Sequence, residues 1–190
     1  EQYRNFVDEG RIVFTTFHQS YGYEDFIQGL RPVSANGGTD FIPVDGVFKR
    51  IADTAKKHPD NNYVIIIDEI NRANISKVFG ELITLIEASK RIGKPEGLKV
   101  MLPYSQKQFG VPKNVYIIGT MNTADRSVEA LDSALRRRFD FIEMMPDSDK
   151  VKFGQEIFVC INNRLRILKD AEHQLGHSYF MGVNSYEHNK

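Results

Sequence analysis

The sequence predicts an α/β protein, a three-layer parallel sheet with helices on both faces, followed by a small helical region. Three observations lead to this class. Short apolar strands near residues 11–17, 63–67 and 115–118 alternate with segments of helical periodicity, which is the pattern of a parallel sheet wound with helices. The run 63–67 is continuously apolar and bounded by turn residues, as a strand buried on both faces requires. After Pro146 strand-like segments stop and only helical periodicity remains.

Taken in order, residues 11–17 are β-branched and aromatic and form a strand. The stretch 21–30 mixes aromatics with acids and has no clear period. Extended pieces at 31–33 and 41–44 flank Asn36-Gly37-Gly38, and because Asn-Gly reaches positive φ at little cost, a hairpin spanning about 31–44 is expected. Val47, Phe48, Ile51, Ala52 and Ala55 recur at helical spacing, and that helix stops before Pro59. The strand at 63–67 ends on two acids, Asp68 and Glu69. Ile75, Val78, Phe79, Leu82, Ile83 and Ile86 define one face of a long amphipathic helix, with Asn74 as its N-cap. A second hairpin spans about 98–111. The strand at 115–118 runs into Gly119-Thr120-Met121-Asn122, a helix covers about 127–137, and a strand at 139–144 completes the alternation. Beyond it Phe153, Ile157, Cys160, Ile161, Leu165 and Leu168 share a helical stripe, which makes Cys160 a small core residue. The expected organisation is an α/β core over 1–147 and a helical region over 148–190.

Composition narrows the function classes. The chain has 190 residues and 41% apolar residues, long enough to bury roughly 70% of the surface its unfolded form exposes. Its 25 Lys and Arg balance 25 Asp and Glu, which argues against a general polyanion or membrane-surface binder, since those act through excess positive charge. The single cysteine excludes an intramolecular disulfide framework and a multi-cysteine zinc site. The longest aliphatic run, Val64 to Ile67, is far too short to span a bilayer, and the chain reads as cytoplasmic.

Adjacent carboxylates at the end of a buried strand need a physical reason, because burying charge is costly unless it is paired or holds a metal. In phosphoryl transfer the first acid can hold Mg²⁺ through water while the second activates the attacking water. The alternative is that Asp68 and Glu69 only favour the N-terminal dipole of the next helix. Asn122 ends the next strand as Asp68 ends the previous one; its amide can orient a water there, or simply form a turn. Asp125 and Arg126 can cap the next helix or join the same polar edge. Arg136, Arg137 and Arg138 suit a helix C-terminus, but three in a row exceed what a cap needs, so one can reach a phosphate on a neighbouring subunit. His173 and His177 are four apart, open to a metal or to a place in the helical region. Lys49, Arg50, Lys56, Lys57 and His58 form a basic helix face, open to solvent or to DNA.

Three stretches together, Val64 to Ala73 with Asp68-Glu69-Ile-Asn71-Arg72, Gly119 to Ser127 with Met121-Asn122-Thr-Ala-Asp125-Arg126-Ser127, and Ala134 to Phe139, resemble the AAA+ NTPases, specifically the McrB-like family of GTP-hydrolysing motors in modification-dependent restriction systems. Segments near Thr16 to Pro32 and His173 to Met181 also look familial. The resemblance implies a P-loop NTPase core with a helical lid, Mg²⁺ as cofactor and GTP or ATP as substrate. Asp68 matches the Walker B acid that supports the metal, Glu69 the glutamate that activates water, Asn122 the sensor, and Asp125 the second fixed position of the Met-Asn-x-x-Asp signature. Arg137 and Arg138 match arginine-finger positions acting in trans, and His177 falls in the lid near the nucleotide. The implied partners are further copies in a hexameric ring, a McrC-like nuclease subunit, and DNA held through other domains. One departure stands out: the 190 residues contain no Gly-x-x-x-x-Gly-Lys-Ser/Thr, the loop that cradles the β- and γ-phosphates. The expectation is therefore a core truncated ahead of Glu1 and inactive alone. A MoxR-like ATPase remodeller without a nuclease, or a non-catalytic ring scaffold, are the competing assignments.

Overall fold

The computed structural model describes residues 1–35, 38–122 and 133–183, which divide into two compact units, Glu1–Asp140 and Phe141–Lys190. The division falls somewhat ahead of the boundary the sequence suggests. Among the described residues no helix is long and apolar enough to cross a membrane.

The first unit is built on a parallel three-stranded sheet of β1 (Ile12–Thr16), β4 (Tyr63–Asp68) and β7 (Val115–Gly119), in the order β1-β4-β7. Its register places Thr16 opposite Asp68 and Ile67 opposite Gly119, so the carboxyl ends of all three strands share one edge. Between β1 and β4 lie the short helix α2 (Tyr23–Phe26), the antiparallel ribbon β2 (Gln28–Ala35) and β3 (Gly38–Asp45), and helix α3 (Val47–Lys57). The ribbon is the hairpin expected from Asn36-Gly37, with longer strands than the sequence suggests; positions 36 and 37 lie outside the described residues. Between β4 and β7 come α4 (Ile75–Phe79) and the small hairpin of β5 (Val100–Met101) and β6 (Gln108–Phe109). A helix α1 (Gln2–Asp8) precedes the sheet.

One face of the sheet explains the stability of the unit. Tyr63, Ile65 and Ile67 point into a continuous core with Phe48, Ile51, Ala52 and Ala55 of α3 and with Ile75, Val78, Phe79 and Leu82 after β4. Phe26 sits among aromatic rings, stacked on Phe48 at 5.1 Å and edge-on to Phe79 at 4.9 Å and Phe17 at 5.4 Å. Gly46 lets β3 turn into α3 against that ring: a Cβ there would run into the backbone of Phe26 and Asp25. The other face is different. Phe14, Tyr116 and Ile118 are 58%, 51% and 52% exposed, so β4 alternates between fully and partly buried instead of being covered on both sides.

Three expected elements differ. The helix expected over 75–86 is α-helical only to Phe79, then continues as a 3-10 turn, Gly80–Ile83. Gly80 has φ +52° and packs on the Tyr23 ring, and that left-handed residue interrupts the helix while keeping the apolar positions inward. Asn74 caps as expected, its side chain accepting from the Lys77 amide at 3.0 Å. The strand expected at 139–144 does not form, and Ile142 and Met144 are exposed. Of the helix expected at about 127–137, Ser133–Arg136 is helical (α5) and 123–132 lies outside the described residues.

The basic face of α3 is also not a uniform solvated stripe. Lys49 is buried, with Nζ 2.9 Å from Asp45 and 2.7 Å from Asp53, and it lies 5.8 Å from the Phe109 ring centre. Burial alone would lower the Lys49 pKa, but the two carboxylates outweigh it and hold the ammonium above its ordinary value. Burial likewise works against the Asp45 carboxylate, and Lys49 and Gln28 more than offset it, leaving Asp45 below its ordinary value. A raised Lys contributes stability at ordinary pH that is lost as pH climbs through its folded value. A lowered Asp contributes stability that is lost as pH falls through its own, so the network is intact between those limits. Lys49→Met is expected to destabilise the unit by about 1–3 kcal/mol in denaturant unfolding at pH 7, less than a fully buried pair because both carboxylates reach solvent.

The second unit consists of a 3-10 turn at Ser148–Lys150, helix α6 (Gln155–Leu168) and two further turns at Ala171–His173 and His177–Phe180. Phe158 and Asn162 are the buried positions of α6: Phe158 meets Phe180 edge-on at 5.2 Å, and Asn162 bonds both ways with Leu175. The stripe expected to be core is therefore only partly packed: Phe153, Ile161 and Leu165 are half-buried. Cys160 is exposed, and Ile157 and Leu168 are 45% and 79% exposed, because the segment 171–180 folds back on the Phe158 side.

Candidate active site at the carboxyl edge of the sheet

The β4–β7 register brings the two strand ends into contact. Thr120, just past β7, donates from its hydroxyl to Asp68 Oδ1 at 2.6 Å and accepts the Glu69 amide at 3.3 Å. Its own backbone is fixed twice more, N–H to the Ile67 carbonyl and carbonyl to the Ile70 amide, both at 2.9 Å. The chain can leave β4 here only by a sharp turn, and Glu69 makes it in the left-handed region, φ 53° and ψ 45°. For a residue with a side chain that conformation costs about 1–2 kcal/mol, which the surrounding bonds must offset.

The turn aims the Glu69 carboxylate at Arg72, one 3-10 turn later, with Nε 3.2 Å from Oε2 and Nη2 3.5 Å from Oε1. Asn71, within the same turn, is buried and donates to the Asn122 carbonyl at 3.4 Å. Asp68, Glu69, Thr120 and Asn122 thus stand on one edge. In an open parallel sheet this edge is where ligands bind. The chemistry on offer is that of a carboxylate with one oxygen fixed, a second carboxylate in a salt bridge, and an exposed amide beside them.

An AAA domain family, the dynein-related subfamily, matches residues 1–139. The chain belongs to this AAA family. Over 146 residues, 75% of this chain, it is 52% identical to the type IV methyl-directed restriction enzyme EcoKMcrB subunit of Escherichia coli (strain K12). Over 163 residues, 68% of this chain, it is 31% identical to the type II restriction enzyme BsuMI component YdiS of Bacillus subtilis (strain 168). The chain spans 30% of the first relative and 47% of the second. It is a McrB-like AAA+ protein, and its α/β unit is the AAA+ core.

Within that AAA+ core the other expected site residues divide. Asp125 and Arg126 lie outside the described residues. Arg136, the last residue of α5, and Arg137 just beyond it are both exposed. Arg138 is not presented outward: its Nη2 is 2.6 Å from Glu87 Oε1 and only 9% of its side chain is accessible. Of the two positions expected to act in trans, Arg137 is therefore the exposed one and Arg138 the one paired within its own subunit. His177 belongs to the second unit, where its Nδ1 accepts the Asp147 amide at 3.2 Å, leaving Nε2 as the protonated nitrogen. His173 Nδ1 lies 2.6 Å from Asp170 Oδ1.

Among the described residues no three His, Cys, Asp or Glu side chains converge as a metal cage. A hydrated Mg²⁺ needs no such cage, since it takes one or two carboxylates together with substrate phosphates. Asp68, with Oδ1 held by Thr120, can offer Oδ2 to such a hydrated ion. Thr120 and Arg72 are the site residues that sequence reasoning leaves without a role. Neither carries a spacing signal, and the Thr120 contact depends on a register between positions 52 apart.

Proposed function

We propose that the intact protein is a nucleoside-triphosphatase in which these 190 residues form most of the motor core, hydrolysing GTP within a restriction complex that acts on modified DNA. The observation that carries this is the carboxyl-edge pair, Asp68 oriented by Thr120 and Glu69 next to it, with Asn122 on the neighbouring strand end. Mg²⁺, when bound, neutralises charge on the β- and γ-phosphates. Asp68 would hold the hydrated ion, with Oδ2 the oxygen left for it, while Glu69 would accept the proton of the attacking water once Arg72 releases it, and the Asn122 amide would orient that water. Arg137 supplies positive charge to the γ-phosphate of an adjacent subunit, so each site lies between two copies of a ring. The ring is hexameric, a McrC-like subunit supplies nuclease activity, DNA contacts belong to other domains, and the assembly is cytoplasmic.

The phosphate loop that this chemistry needs is absent from the 190 residues. The sheet face of Phe14, Tyr116 and Ile118 is exposed, and an apolar face of that kind is ordinarily covered. Phosphate release from GTP and from ATP by the full-length protein, with Asp68→Asn as control, tests the proposal. Mg²⁺-dependent GTP turnover abolished by Asp68→Asn is expected. Turnover of ATP in preference to GTP would favour the remodeller assignment, and no turnover of either would favour the scaffold.

A further inference from the structure

We infer that Thr120 is a positioning residue for the metal and for the Glu69 turn, acting through Asp68 and through the Glu69 amide. The inference rests on the NTPase function proposed above and adds a residue to its site. A hydroxyl has one proton and two lone pairs. At 2.6 Å from a carboxylate oxygen the proton belongs to the bond with Asp68 Oδ1, and this is the short, charge-assisted kind. One lone pair then faces the Glu69 N–H at 3.3 Å. A single hydroxyl thereby joins the two acids in series.

This linkage constrains both acids. The Asp68 carboxylate cannot rotate freely, since Oδ1 is fixed from β7, so Oδ2 is presented in one direction. The Glu69 amide, in a left-handed turn that its side chain disfavours, gains a partner that the β-ladder does not provide. The backbone bonds of Thr120 to Ile67 and Ile70 place its Cα in the β4–β7 pairing, and the two bonds of the hydroxyl to Asp68 and Glu69 select its rotamer. Groups that orient a metal-binding carboxylate in this way typically change metal affinity or activity by about 10–100-fold when removed.

The test compares Thr120→Val, which keeps shape and loses the hydroxyl, with Thr120→Ser, which keeps the hydroxyl, in the full-length protein. Two readouts are taken across a Mg²⁺ titration: binding of fluorescent N-methylanthraniloyl-GTP, and GTP turnover. Thr120→Val is expected to raise the Mg²⁺ needed for half-maximal nucleotide binding by about tenfold and to lower kcat at saturating Mg²⁺, with Thr120→Ser recovering most of both losses. A wild-type Mg²⁺ dependence in Thr120→Val overturns the inference, as does an equal defect in Thr120→Ser, which would assign the effect to the methyl group. Should Thr120→Val not fold, as judged by thermal unfolding, Thr120→Ala is compared with Thr120→Ser by the same criteria. Asp68→Asn separates this inference from the function it rests on. If Asp68→Asn turns over normally, the NTPase site itself is wrong; if it is inactive while Thr120→Val behaves as wild type, only the role of Thr120 is.

Discussion

Glu69→Gln in the full-length protein is expected to lower GTP turnover by about 10²–10⁴-fold, the range for loss of a general base, with nucleotide binding and assembly retained. The asymmetry comes from position. The Glu69 backbone, not its side chain, bonds Thr120 and closes the turn after β4, so the amide variant leaves the Asp68–Thr120 bond and the sheet edge intact. Gln is nearly the same size but carries no charge, so it cannot accept the proton of the attacking water. It also gives up the salt bridge to Arg72, whose 42% side-chain exposure makes that loss small for stability. Steady-state phosphate release gives the first quantity, and retention of GTP through gel filtration in Mg²⁺ gives the second. Turnover within a few-fold of wild type would remove Glu69 from the chemistry, and failure to retain nucleotide would mean that the side chain supports binding instead.

Elements held by local contacts are legible in the sequence, and those held by distant ones are not. The parallel strands are readable because a strand in the middle of a sheet needs continuous apolar residues, and Tyr63, Ile65 and Ile67 are in the core. The inward face of the segment after Asn74 is readable for the same reason, but its helix is not, because Gly80 turns left-handed against Tyr23, a residue far away in the chain. The candidate acids are visible because charge at the end of an apolar strand is costly and therefore informative. Thr120 is not, since its importance comes only from lying across from Asp68. Arg138 shows the opposite failure: three consecutive arginines look equivalent in sequence, and only the fold shows that Glu87, 51 positions earlier, holds the third. The stripe of α6 misleads because an apolar periodicity identifies a face that wants a partner, not which partner it has; Cys160 and Leu168 lie on the side that the segment 171–180 leaves uncovered.

That difference among the arginines makes the second large effect a discriminating one. Arg137→Ala in the full-length protein is expected to lower GTP turnover by about 10³-fold or more, the scale of losing an arginine finger, with little change in unfolding. Arg138→Ala is expected to do the reverse, costing about 2 kcal/mol in stability because it strands the Glu87 carboxylate in a partly buried place, with a smaller loss of turnover. Whether Arg137 acts in trans is decided by mixing. Arg137→Ala subunits retain Glu69, and Glu69→Gln subunits retain Arg137, so neither turns over GTP alone. In a mixed ring an interface can pair the intact Glu69 of the first with the intact Arg137 of the second. Recovery of turnover on mixing, absent from either protein by itself and rising with the fraction of such interfaces, is the expected result. No recovery, in rings shown by native mass spectrometry to be mixed, would place Arg137 and Glu69 in one subunit's site and remove the shared interface from the mechanism.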